Sequence, residues 1–92
     1  MALRFEWDSK KAQSNKRKHG ITFEEASTIF GDPLSITIPD PAHSIGEDRF
    51  ITIGTSANGK LIVVVHTERD DVIRIISARK ATSIETRQYE QG

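Results

Sequence analysis

The sequence contains no cysteine, and its longest apolar run is the five residues 61–65. Without cysteine the chain can form neither a disulfide nor a thiolate metal site. A membrane-spanning helix needs about 20 apolar residues, so no span is expected. Charged side chains within residues 1–8 come too early for a secretory signal peptide. We therefore expect a cytoplasmic protein that does not associate with membranes.

The chain also lacks an excess of charge of either sign, because 13 basic and 13 acidic side chains cancel. A net charge of zero argues against strong nonspecific binding of nucleic acid, which depends on Lys and Arg neutralising phosphates. The cations are nevertheless unevenly placed: five of them lie between positions 10 and 18, with no acid among them. Such local potential matters more to a small binding site than the total charge does.

The rest of the composition, 36% apolar and 28% charged residues, is ordinary for a soluble domain. A length of 92 residues predicts one domain over 1–92. Residues 3–7 alternate as a short strand. Asp8 caps a helix that ends near His19, with Gly20 as its left-handed stop. Thr22 and Glu25 form a capping box that opens a second helix over about 23–30.

The second half of the chain has the pattern of a β-meander. Strands are predicted over 34–38, 49–55, 61–67 and 72–79, and Asn58-Gly59 is a strong hairpin turn. Residues 61–65 are apolar without alternation, which predicts a central and most buried strand. A second capping box, Thr82 with Glu85, opens a last helix to about Glu90. The predicted class is α+β: an antiparallel sheet meander with two N-terminal helices, a short C-terminal helix, and residues 3–7 at an edge.

Four segments together resemble the BrnT family of type II toxins over about residues 4–90. They are Trp7-Asp8 with Lys11 and Asn15; Lys18-His19-Gly20-Ile21 with Phe23-Glu24-Glu25-Ala26; Asp40 and His43 leading to Glu47-Asp48-Arg49; and residues 64–69 with Arg74-Ile75-Ile76-Ser77-Ala78-Arg79. None of these motifs is specific alone, and their combination carries the resemblance.

The resemblance implies a RelE-like fold and an endoribonuclease that arrests translation and growth. It also implies a cognate BrnA-like antitoxin, a ribbon-helix-helix protein, with which the toxin forms a hetero-oligomer. The toxin would then reach operator DNA only indirectly, through that antitoxin.

Cleavage of RNA through its own 2′-hydroxyl needs a base, an acid and cations at the phosphate, and it needs no metal. His19 ends the first helix, where the helix dipole stabilises a cationic imidazole, so its role is either structural or catalytic. His66 follows a buried strand and is either a core histidine or a proton-transfer group. Glu47 is a general base or a solvated loop acid. His43, in a Pro-rich loop, is a surface residue or a phosphate contact.

Four arginines lie on or beside three successive predicted strands: Arg49, Arg69, Arg74 and Arg79. Strand alternation puts Arg74 and Arg79 on opposite faces of the sheet unless a β-bulge intervenes. Arg79 is the strongest candidate for the phosphate-binding cation, helped by Arg49, because a guanidinium donates two hydrogen bonds to one phosphate. Arg69 either contacts RNA or pairs with the neighbouring Asp70 and Asp71.

The basic stripe of the first helix, Lys10, Lys11, Arg17 and Lys18, is a solvated face, a track for the RNA backbone or a dock for the antitoxin. Tyr89 stacks on a base or packs its helix. The predicted catalytic set is thus Arg79, Arg49, His66, His19 and Glu47, and the predicted RNA-binding set is Lys11, Lys18, Arg69, Arg74 and Tyr89.

No three residues have the spacing of a zinc site, so neither a metal nor another cofactor is expected. The rival hypothesis is a non-catalytic interaction module that acts as a corepressor with a ribbon-helix-helix DNA-binding partner. Expression discriminates the two, because a catalyst should arrest growth in a host without the antitoxin and a corepressor should not.

Overall fold

A computed structural model describes residues 3–41 and 48–92. Its elements follow the predicted order: β1 (Arg4–Glu6), α1 (Ser9–His19), α2 (Phe23–Ser27), β2 (Ile36–Pro39), β3 (Arg49–Thr55), β4 (Leu61–Arg69), β5 (Val72–Lys80) and α3 (Ser83–Gln91). The second predicted helix is shorter than expected, because α2 continues as a 3₁₀ turn over Thr28–Gly31. His43 and Glu47 lie outside the described residues.

The strands of the described residues form one sheet in the order β1-β5-β4-β3-β2. Strands β2 to β5 make the predicted antiparallel meander. Strand β1 lies at an edge as predicted, but it pairs with β5 in parallel, with Phe5 opposite Ile73. The sheet is therefore mixed, and the prediction of a wholly antiparallel sheet is wrong. Alternation in β1 indicates a strand but carries no information on the direction of a partner almost 70 residues away.

The caps of α1 and α2 lie where the sequence predicts them. Asp8 accepts a hydrogen bond from the Lys10 N–H at 2.8 Å, and Gly20 ends α1 at φ 70°. Thr22 accepts from the Glu25 N–H at 3.0 Å. The Glu25 carboxylate does not complete the predicted capping box, because it accepts from the Ser56 hydroxyl at 2.8 Å. At α3 the box of Thr82 and Glu85 is complete.

The core lies between one face of the sheet and the first two helices. We call this side the helix face. Its buried members are Ile62 and Val64 of β4 and Ile73, Ile75 and Ala78 of β5, packed against Ile21, Phe23, Ala26 and Ile29. Val63, on the opposite face of β4, is also buried. The prediction of a central strand buried on both faces is confirmed for β4.

A β-bulge in β5 changes which of its side chains share a face. Val65 pairs with Ser77 but His66 pairs with Ile75, so Ile76 is the extra residue. The bulge lets Ile73, Ile75 and Ala78 all point to the helix face. By the same shift Arg74, opposite Thr67, and Arg79, opposite Val63, both lie on the other face, with their β4 partners four positions apart.

Candidate functional site

The sheet face opposite the helix face is rich in arginine, and we call it the arginine face. Residues that pair across strands share a face. One such row runs Glu6, Arg74, Thr67, Arg49 across β1, β5, β4 and β3. The next row runs Arg4, Val72, Arg69. With Arg79 the arginine face carries five guanidiniums on four strands.

A cleft of about 540 Å³ lies at the end of the sheet next to this row. Glu6, Thr67, Arg69, Val72 and Arg74 line it, together with Asp48, Glu68 and Asp70. In it the Glu6 Oε1 accepts a hydrogen bond from the Arg74 Nη1 at 3.2 Å, and both side chains are about half exposed. The cleft therefore holds an open carboxylate–guanidinium pair that solvent and ligands can reach.

The five guanidiniums differ in their partners. Arg4 lies 3.5 Å from the Asp71 carboxylate. Asp71 is thus engaged with Arg4, and no carboxylate among residues 3–41 and 48–92 lies within ion-pair distance of Arg69. The predicted alternative in which Arg69 pairs with Asp70 or Asp71 is therefore not seen in this part of the chain, and the Arg69 side chain is exposed at the cleft.

Arg79 makes a bidentate ion pair with Glu85 of α3. Its Nη1 and Nη2 donate to the two carboxylate oxygens at 2.7 and 2.8 Å. The hydrogen bonds from Arg79 lower the pKa of Glu85 to about 2, and they raise the pKa of Arg79. The Arg79 side chain remains 43% exposed. Its fork is thus occupied by a carboxylate at a place where a phosphate could replace it.

His66 lies on the helix face and is fully buried. Its Nε2 is 2.7 Å from the Thr52 hydroxyl, which is 2.8 Å from the Thr37 hydroxyl. The ring packs edge-on against Phe30 and stacks on Phe50. Burial lowers the pKa of His66 to about 4, so the ring is neutral at pH 7. This imidazole contacts the core and does not reach the arginine face.

Helix α1 and its predicted functional residues also lie on the helix side of the sheet. Ala12 packs on the core, and Lys11, Lys18 and His19 are exposed. The structure therefore separates the basic stripe and His19 from the arginine face. A second groove of about 490 Å³ lies beside this helix, lined by Trp7, Ser9, Ala12, Gln13, Lys16, Thr22, Phe23 and Glu24.

Tyr89 ties α3 to the rest of the domain. Its hydroxyl donates to the Asp32 Oδ2 at 2.5 Å and accepts from the Thr55 hydroxyl at 3.1 Å. The hydrogen bond from Tyr89 lowers the pKa of Asp32, and the same bond raises the pKa of Tyr89. This geometry is the packing alternative considered for Tyr89. Stacking on a base remains a prediction.

Glu6 is the residue of this site that sequence reasoning missed. Alternation of Arg4 and Glu6 with the inward Phe5 indicates that both side chains leave the core. The sequence does not indicate that Glu6 lies next to Arg74, because that proximity depends on the parallel pairing of β1 with β5.

Across 3–41 and 48–92, no three His, Asp or Glu side chains are arranged to hold a metal ion. In the same part of the chain no helix is long and apolar enough to cross a membrane.

Comparison with known proteins identifies a family and a similar fold. Residues 7–85 match the family described as the ribonuclease toxin BrnT of type II toxin–antitoxin systems. The fold is similar to the crystal structure of the Brucella abortus ribonuclease toxin BrnT, with a TM-score of 0.69 and 25% sequence identity. That alignment covers 89% of this chain and 100% of the other. No curated protein matches the sequence.

Proposed function

The chain belongs to the BrnT family of ribonuclease toxins of type II toxin–antitoxin systems, and from this premise we propose that it is a metal-independent endoribonuclease of RelE-like fold. The observation that carries the proposal is the bulge at Ile76, which brings Arg74 and Arg79 to the face that already holds Arg49. RNA cleaved there would arrest translation and growth.

The arginine face suits a phosphate in chemistry and in shape. A guanidinium donates two parallel hydrogen bonds to phosphate oxygens and stays charged at all working pH values. Arg49, Arg69 and Arg74 follow three adjacent strands, so successive phosphates of a single strand can lie along them. Arg79, once released by Glu85, would add its fork to the phosphorane, where charge stabilisation is a large part of catalysis.

Of the proton-transfer residues predicted from the sequence, none in the described part of the chain lies on the arginine face. His66 and His19 lie on the helix side, and Glu47 lies outside the described residues. Their catalytic roles remain predictions, and the proposal depends on the arginines.

The family also implies a partner. We propose a BrnA-like ribbon-helix-helix antitoxin that forms a hetero-oligomer with the toxin, prevents RNA binding and carries the complex to operator DNA. An antitoxin with an acidic segment would suit the cationic surfaces of this chain, since electrostatic complementarity steers association.

The test is cleavage of naked RNA by the purified chain in excess EDTA. We expect a 2′,3′-cyclic phosphate on the upstream fragment and no cleavage where the 2′-hydroxyl is replaced by hydrogen. Arg74→Ala should lower the rate, whereas Arg17→Ala, an equal charge change on α1, should not. Cleavage that stops in EDTA and returns with one divalent ion would contradict metal independence. A chain that neither cleaves RNA nor arrests growth would instead be the corepressor.

A further inference from the structure

We infer that Glu6 is the general base that takes the 2′-hydroxyl proton of the RNA. The inference rests on the proposed ribonuclease function and goes beyond it, because it assigns the proton acceptor to a carboxylate of the edge strand β1. It is carried by the position of Glu6 in the cross-strand row with Arg74, Thr67 and Arg49.

The Arg74 guanidinium can hold the base and the phosphate side by side. Its Nη1 donates to the Glu6 Oε1 at 3.2 Å. A guanidinium has five N–H donors, so the others remain available for a phosphate oxygen. The attacking 2′-oxygen belongs to the ribose whose 3′-oxygen carries that phosphate. A carboxylate held next to the phosphate-binding cation is therefore next to the 2′-hydroxyl as well.

The other carboxylates that line the cleft are placed differently. Glu68 alternates with Thr67 and Arg69, so its side chain points to the helix face, where its Oε2 is 3.5 Å from the His66 Nδ1. Asp70 lies in the β4–β5 turn with φ 56°. Asp48 precedes β3. Among the described residues that line the cleft, Glu6 alone is a carboxylate in a strand whose register places it on the arginine face.

The step balances without any further reactant. The Glu6 carboxylate accepts the proton as the 2′-oxygen bonds to phosphorus, and the bond from phosphorus to the 5′-oxygen breaks. The leaving 5′-oxygen gains a proton from solvent, and Glu6 returns its proton to solvent. The products are a 2′,3′-cyclic phosphate and a 5′-hydroxyl. Arg74 neutralises the phosphate charge throughout.

The test is Glu6→Gln, which keeps the size of the side chain and an oxygen that can accept from Arg74. We expect kcat to fall by about 10²–10⁴-fold, the range of general acid–base catalysis, with the Kd for an uncleavable 2′-deoxy RNA unchanged. The acidic limb of the pH–rate profile, where the parent gains activity as its base ionises, should disappear. Glu6→Asp should keep that limb at a lower rate. Glu24→Gln, an exposed carboxylate on α2, is the control and should match the parent.

The outcomes separate this inference from the proposed function. If the parent cleaves RNA and Glu6→Gln retains its rate and its acidic limb, Glu6 is not the base and the ribonuclease proposal stands. If the parent chain cleaves no RNA, both the ribonuclease proposal and the inference about Glu6 are wrong. Should Glu6→Gln fail to fold by circular dichroism, Glu6→Asp decides: an unchanged kcat would overturn the inference, because a base displaced by one methylene cannot keep its geometry.

Discussion

At the scale of single residues, burial decides which titratable groups are available for chemistry. His66 lies within β4, after its apolar run, and has a residue type suited to proton transfer, yet strand alternation places it under Phe30 and Phe50. Glu6, unremarkable in sequence, is half exposed beside Arg74. Residue type alone therefore does not tell which face of the sheet a side chain occupies, and the strand register is needed to decide it.

The buried His66 predicts acid sensitivity of the fold. Its pKa is about 4 in the folded chain and about 6.5 when unfolded. Between these values the unfolded chain binds more protons, so stability is complete above pH 6.5 and declines as the pH falls toward 4. We expect His66 to account for a loss of about 3 kcal/mol in the free energy of unfolding between pH 7 and pH 4.

Urea unfolding at several pH values measures this loss. His66→Gln, which can still bond to the Thr52 hydroxyl but does not titrate, should show a flatter dependence. His19→Gln, an exposed histidine, is the control and should follow the parent. Parallel profiles for the parent and His66→Gln would show that His66 is not the acid-sensitive group.

We expect substitution of Arg79 to reduce the rate of RNA cleavage more than the stability of the fold. Arg79→Ala removes the fork at the phosphate, which should cost about 10²–10³-fold in the rate of cleavage. It also removes the partly exposed ion pair with Glu85, a contact worth about 1 kcal/mol or less. Arg79→Lys should rescue activity poorly, because an ammonium cannot hold two phosphate oxygens in one plane.

The comparison for Arg79 is Glu85→Gln, which weakens the same ion pair but leaves the guanidinium in place. Cleavage by this variant should persist at about the rate of the parent. A folded Arg79→Ala that cleaves RNA as fast as the parent would exclude Arg79 from the site. Thermal unfolding of each variant separates loss of function from loss of fold.

At the scale of elements, the sequence predicts the helix caps and turns, but it does not predict how all the strands pair. The caps at Asp8 and Thr82 and the turn at Asn58-Gly59 are decided by neighbours within a few residues, so the sequence predicts them. The bulge at Ile76 and the parallel β1 depend on partners far along the chain. From the sequence we could predict only that Arg74 and Arg79 would share a face if a β-bulge lay between them.

Asn15 stabilises β5 next to that bulge. Its amide donates to the Ala78 carbonyl at 2.8 Å and to the Ile21 carbonyl at 3.0 Å, and its Oδ1 accepts from the Ala78 N–H at 3.0 Å. Strand β1 ends opposite Arg74, so the main chain at Ala78 has no β1 residue as its partner. The buried Asn15 supplies these hydrogen bonds in place of a strand.

Asn15→Ala should therefore be strongly destabilising, by roughly 2–4 kcal/mol, since it leaves buried backbone groups without partners. Gln13→Ala, an exposed amide on the same helix, is the matched control and should change stability by less than about 0.5 kcal/mol. Chemical denaturation of both variants measures the difference. Equal effects of the two substitutions would mean that water or a local shift replaces the Asn15 bonds.

At the scale of the whole molecule, a net charge of zero conceals two clusters of cationic side chains on opposite sides of the sheet. One is the arginine face, and the other is the basic stripe of α1, where Lys11 and Lys18 are exposed. An RNA fragment of a few nucleotides on the arginine face cannot reach the stripe. This separation favours the antitoxin-docking alternative for the stripe over the RNA track, because a protein partner can contact both sides.

The charge reversal Lys11→Glu with Lys18→Glu should accordingly separate the two ligands. We expect the association rate with the antitoxin to fall roughly tenfold at low salt and to become less sensitive to salt, because steering depends on exposed charge. Cleavage of a short RNA should stay at the parent's rate. Stopped-flow association over a salt series, with Arg87→Glu on α3 as the control, measures the first effect. Antitoxin kinetics at low salt that match the parent would exclude electrostatic docking on α1, whereas a parallel loss of RNA cleavage would restore the stripe as an RNA track.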